Sequence, residues 1–157
     1  MTAVTSSFKW YKSGAIAVKQ TPGMLLANDI KVILLTSAYT PNAATHQYYD
    51  VSITNELPTA SGYTLGGLAL TAKTFAADGS GFVIFDSNDP VWTVPSGTLT
   101  ARTWAMYDNT PASNKPLLCY GSLNYNGGTP IDISTTISES IVLGADGWFK
   151  IIHTDNP

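Results

Sequence analysis

Apolar and polar positions alternate over short stretches through most of this chain, and the stretches are separated by Gly, Pro, Asn and Asp. A period of two with turn residues between the runs predicts β-strands. One stretch is denser. In Ile30–Pro41, IKVILLTSAYTP, residues Val32, Ile33, Leu34 and Leu35 follow one another with no polar break. A β-branched run of this kind predicts a strand buried on both faces, around which shorter strands assemble.

Further strands are predicted at Phe82–Phe85, Val91–Val94, Thr98–Tyr107, Pro116–Tyr125, Ile131–Ile133, Ile137–Leu143 and Trp148–Ile152. Asp78-Gly79-Ser80-Gly81 reads as a hairpin turn before Phe82, and Thr21-Pro22-Gly23, Gly127-Gly128 and Asp146-Gly147 read as turns. In Thr98–Tyr107, the alternation sets Leu99, Ala101, Thr103, Ala105 and Tyr107 on one face, and Thr100, Arg102, Trp104 and Met106 on the other. Gly66-Gly67 permits a tight turn, a bulge or a close backbone approach. Phe8–Val18 fits two patterns: strand-like alternation interrupted by Ser13-Gly14, or a short helix ending at Gly14. One short helix is expected after Asn42 as N-cap, with Ala43, Ala44, His46 and Tyr48 following.

These elements predict an all-β fold: an antiparallel β-sandwich or barrel of about eight to ten short strands with one short helix. Residues 1–28 are expected to form an N-terminal arm or extension, mobile over the small polar stretch Met1–Ser7, and residues 29–157 a single β domain.

At 157 residues the chain is long enough for one domain with its own core. Only 12% of residues are charged, against about 25% in an average domain. Solubility then rests on hydroxyls more than on charge, which suits β-rich extracellular or virion proteins and subunits that hide surface in an assembly. A net charge of −3 argues against coating nucleic acid. The charge is uneven: Lys9, Lys12, Lys19 and Lys31 are half of the eight basic residues, and the first acid is Asp29. The basic N-terminal fifth is read as a segment that docks on an acidic neighbour, or as lysines on a solvated strand face. The N-terminus lacks the apolar core of a signal peptide, and no run reaches the ~18 apolar residues of a membrane helix, so synthesis and folding in a cytoplasm and no membrane partner are expected.

Chemistry is sparse. Cys119 is the only cysteine, set among apolar neighbours as a buried small hydrophobe. His46 and His153 form no zinc-ligand cluster, and no nucleophile-elbow pentapeptide occurs. Asp86-Ser-Asn-Asp89 has oxygens for calcium but lacks the glycine and distal glutamate of an EF-hand, and an Asx turn ahead of Pro90 explains it more simply. No enzyme activity, cofactor or metal is expected. Tyr48, Tyr49, Tyr63, Trp92, Trp104, Tyr120, Tyr125 and Trp148 could stack on sugars, or serve as core and interface residues.

The ordered series IKVILLTSAYTPNAATHQYYDVSITNEL, SGYTLGGLALTAKT, FVIFDSNDPVWT and TLTARTWAMYD, spanning about Ile30–Tyr107, resembles a group of small structural proteins of tailed-bacteriophage virions. The resemblance implies a capsid decoration or cement protein. Its expected partners are the major capsid protein or other virion proteins, and a second copy of itself in a homo-oligomer, a trimer. It implies a chain made in the host cytoplasm and located on the virion. The likeness does not extend before Asp29. There Phe8–Lys19 is expected to be the docking arm, with Phe8, Lys9, Trp10, Tyr11, Lys12 and Lys19 as partner-binding residues. The rival expectations are a tail, baseplate or receptor-binding component with glycan-binding aromatics, and a lectin-like module unrelated to particles.

Overall fold

The computed structural model describes residues 2–21, 23–77, 79, 82–124, 132–136, 138–142 and 147–152. In chain order the elements are β1 (Thr2–Trp10), α1 (Lys12–Gln20), α2 (Met24–Ala27), β2 (Ile30–Leu35), α3 (Tyr49–Ser52), β3 (Leu68–Ala69), β4 (Thr74–Ala77) and β5 (Phe82–Asp86). They continue with β6 (Val91–Thr93), β7 (Leu99–Ala101), β8 (Thr103–Asp108), β9 (Leu117–Asn124), β10 (Ile133–Thr135), β11 (Ser138–Val142) and β12 (Phe149–Ile152). The fold is all-β, as the alternation predicts, with short helices and, among the described residues, no closed barrel.

A seven-stranded sheet runs in the order β3-β2-β8-β9-β1-β11-β6, beside a three-stranded sheet β12-β5-β4 and a two-stranded sheet β10-β7. Within the large sheet every pairing is antiparallel except β1 with β11. The β4–β5 hairpin forms across the predicted 78–81 turn, with Ala77 opposite Val83. The predicted Gly127-Gly128 turn, Ile131, Asp146 and His153 lie outside the described residues.

The dense run becomes β2, held between β3 and β8 with Ile33 opposite Ala105. Ile30, Val32, Ile33, Leu34 and Leu35 are all fully buried. Together they remove apolar surface worth on the order of 10 kcal/mol of transfer free energy, before conformational entropy is subtracted. Their alternation divides two cores. Ile30, Val32 and Leu34 join Trp104, Met106, Cys119, Phe85 and Phe149 on one side; Ile33 and Leu35 join Tyr11, Tyr39, Ala105, Tyr107 and Leu117 on the other.

Four expectations are corrected. First, Thr2–Trp10 is not a separate arm. β1 is an interior strand, antiparallel to β9 and parallel to β11, so this part of the expected arm belongs to the same sheet as the rest and the polar stretch Thr2–Ser7 is strand. Backbone pairing on both edges, which polar side chains do not prevent, is the reason. Second, the helix near Gly14 does not end there. α1 runs through Gly14 to Gln20 because it crosses β9 at that residue, where a Cβ would lie 2.3 Å from the Leu118 carbonyl oxygen.

Third, Thr98–Tyr107 is broken at Arg102, whose N–H donates to Leu35 O while its carbonyl accepts from Leu123 N. One residue outside the alternation shifts its phase, so Leu99 and Ala101 share a core with Trp104 and Met106, not with Tyr107. Fourth, the expected helix begins later. Asn42 Oδ1 accepts from the Ala44 and Thr45 N–H groups at 3.0 and 3.1 Å, but this caps a single turn, and α3 starts only at Tyr49.

Candidate interaction surface

The six residues expected to bind a partner divide cleanly. Phe8 and Trp10 are half-buried and pack on Phe149, with ring centroids 5.4 and 4.7 Å away. Tyr11 is fully buried; its hydroxyl shares a 2.9 Å hydrogen bond with Tyr39, which in turn meets His46 Nδ1 at 2.9 Å. Burial pushes the Tyr11 phenol well above its ordinary range, and the Tyr39 hydrogen bond adds to the shift. These aromatics hold the fold and are not free anchors. Lys9, Lys12 and Lys19 are exposed.

Helical geometry explains the split within α1. Gly14 is buried against β9, Ala17 and Val18 pack on the larger core, and the Ser13 hydroxyl donates to Leu117 O at 3.0 Å. The opposite face carries Lys12, Ile16 and Lys19, spaced i, i+4, i+7, and Ile16 remains 44% exposed. No acidic residue occurs before Asp29 to neutralise this stripe.

A second surface, which sequence reasoning did not single out, surrounds Glu56. Its carboxylate accepts from Tyr49 Oη at 2.8 Å, Tyr63 Oη at 2.6 Å and the Gly66 N–H at 2.7 Å. Tyr63 Oη also accepts from Leu34 N at 3.2 Å, while Tyr107 Oη donates to Gly66 O at 2.9 Å and stacks on Tyr49 with centroids 4.2 Å apart. Burial raises the Tyr49, Tyr63 and Tyr107 phenols; the Glu56 charge adds to all three, and its hydrogen bonds add to Tyr49 and Tyr63. With three donors on one carboxylate, Glu56 ties α3 to the Gly66 loop as a structural clasp.

The clasp fixes a loop. Gly67 adopts φ +71° so close to β2 that a Cβ would lie 2.0 Å from Val32 O, and Leu65 N donates to Thr59 Oγ1 at 2.9 Å. Leu65 is thereby held 59% exposed. It lines an open depression of about 410 Å³ together with Tyr49, Asp50, Ile53, Asn55 and Glu56. Asp50 accepts from the N–H groups of Asn114 and Lys115 at 2.8 and 3.1 Å, and the Asn114 bond leads the effects that lower its carboxyl below the usual range. The Glu56 site carried a visible signal only in retrospect: Tyr49 and Tyr63 each stand seven residues from it.

The remaining expectations fall into place around these surfaces. Tyr63, Trp92, Trp104 and Trp148 are buried core residues, whereas Tyr48, Tyr49 and Tyr120 are half-buried and Tyr125 lies outside the described residues. Cys119 is buried, and desolvation raises its thiol. Asp86 Oδ1 accepts from Ser87 N at 2.9 Å inside its own turn, and among the described residues no group of three or more His, Cys, Asp or Glu is placed to hold a metal. Among the described residues, no helix is long and apolar enough to cross a membrane. No protein-family model, curated protein or solved structure matches the chain.

Proposed function

We propose that this chain is a structural protein of a bacteriophage virion, a capsid decoration (cement) protein that stabilises the shell by protein–protein contacts and carries out no catalysis. It is made in the host cytoplasm and works on the particle without cofactor, nucleic acid or membrane. The observation that carries this reading is the division of the N-terminal segment, whose aromatics are spent on the core while Lys9, Lys12, Lys19 and Ile16 face outward with no acid nearby in sequence. A lysine-flanked apolar stripe on a fixed helix fits an acidic protein neighbour, and many such modest contacts add up on a repeating shell. The resemblance over Ile30–Tyr107 supports neighbours within a virion.

Deleting the N-terminal segment would remove β1 from the sheet and test folding instead of docking. Charge reversal is the cleaner test. Lys9→Glu, Lys12→Glu and Lys19→Glu combined should lower the copy number on purified particles at least tenfold while leaving the thermal transition of the free protein in place. Full occupancy by the triple variant would remove the docking role. A wild-type count of only a handful per particle, or binding of the isolated protein on a glycan array, would favour the tail or receptor-binding reading.

A further inference from the structure

The geometry points to a head-to-tail contact between copies of this chain, in which the Lys12–Ile16–Lys19 stripe of one copy seats on the depression of the next, lined by Tyr49, Asp50 and Leu65. This deepens the docking role of α1 by naming one of its neighbours.

Charge selects the occupant. Residues 1–28 hold three lysines and no acid, whereas residues 32–72 hold Asp50 and Glu56 and no lysine or arginine. Lys115, beside Tyr49, is already engaged: its Nζ donates to Asn109 Oδ1 at 2.8 Å and sits 6.0 Å from the Tyr49 ring centre. Apolar exposure matches as well: Ile16 at 44% on one side and Leu65 at 59% on the other. The stripe spans seven residues of helix, about 10 Å, so an ammonium, an isoleucine and a second ammonium arrive in line. A lysine stem can lie on Tyr49 and Leu65 with its ammonium group toward Asp50.

Both surfaces are preorganised. α1 is fixed by the Gly14 approach to β9, and Leu65 is fixed by the Glu56 clasp and Gly67. Little ordering entropy is then lost on contact. The two surfaces are different, so the contact is heterologous, and a rotation that closes gives a ring.

The test is sedimentation velocity and native mass spectrometry of the full chain, alone and in mixtures, at low and high salt. Wild type should form a cyclic oligomer that weakens as salt rises. Ile16→Glu and Leu65→Glu should each be monomeric with unchanged circular dichroism. Their equimolar mixture should form a heterodimer and nothing larger, because one intact stripe meets one intact depression. A monomeric wild type at high concentration, an oligomeric Leu65→Glu, or a mixture that stays monomeric would each overturn the contact. If wild type is monomeric yet particle occupancy still depends on Lys12 and Lys19, this contact fails and the shell-docking role stands. An oligomer that follows these rules but never decorates particles gives the converse.

Discussion

The two faces of the seven-stranded sheet are built by different means. On one face, Trp104, Met106, Ile141 and Leu123 meet Phe85 and Phe149 of the small sheet, and cohesion comes from close apolar packing. On the other, the cover consists of loops and the four-residue α3, attached by phenols: Tyr11 to Tyr39, and Tyr49 to Glu56, which also accepts from Tyr63 of the first core. Packing tolerates no change of volume, whereas the phenol clasps tolerate no loss of a partner. The second mode suits a docking surface, because a few directed bonds can fix a loop whose apolar residues still face outward.

The largest effect is expected on the apolar face. Trp104 is 1% exposed, and Trp104→Ala should destabilise by about 3–5 kcal/mol, lowering the melting temperature by roughly 10 °C at this chain length. A loss under about 1 kcal/mol in denaturant titration would mean that this face is not the cohesive one.

Next comes the clasp. Glu56→Ala removes the acceptor of Tyr49, Tyr63 and Gly66 N at once, and should cost about 3 kcal/mol; Glu56→Gln, which keeps an oxygen, should cost less. Hydrogen exchange should show the loss centred on Gly66 and Leu65, with β8 amides protected until global unfolding. Uniform loss over both faces would erase the distinction drawn between them.

The buried phenols give the fold a pH signature. Tyr11 and Tyr63 are pushed above the ordinary phenol range chiefly by burial. An unfolded chain releases those protons near pH 10, while the native state retains them. The unfolded state then binds fewer protons, so stability is fully present below pH ~10 and falls above it, by about 1.4 kcal/mol per pH unit for each such group. Melting temperatures between pH 8 and 11 should show this slope, and Tyr11→Phe should flatten it; an unchanged slope would exclude Tyr11 as a source.

How much of this was legible follows from the range of each interaction. The unbroken run Val32–Leu35 announces a doubly buried strand by itself, and the 78–81 turn announces its hairpin, because both signals are local. The partners of β1 are not local: Thr2 pairs with Ser140. Thr2–Ser7 is polar, so period two had no apolar face to report. The phase break at Arg102 depends on Leu35 and Leu123, and the Glu56 clasp on loops whose convergence no periodicity encodes. Lys9, Lys12 and Lys19 were found by charge alone, but separating them from Trp10 and Tyr11 required knowing that a strand hands over to a helix at Tyr11.

A smaller effect with an informative sign comes from Gly14. In an exposed helix, Gly→Ala gains about 1 kcal/mol, yet here the new Cβ would lie 2.3 Å from Leu118 O and 2.4 Å from Leu118 Cα, both backbone atoms of β9. Gly14→Ala should therefore destabilise, by about 1–3 kcal/mol, and should reduce self-association by lifting α1 from the sheet. Lys12→Glu with Lys19→Glu touches only the outward side of the same helix and should change stability by less than about 0.5 kcal/mol while abolishing association. Equal stability losses from the two would mean that α1 has no separate inner and outer roles; the expected split, measured by chemical denaturation beside sedimentation, assigns holding to Gly14 and docking to the lysines.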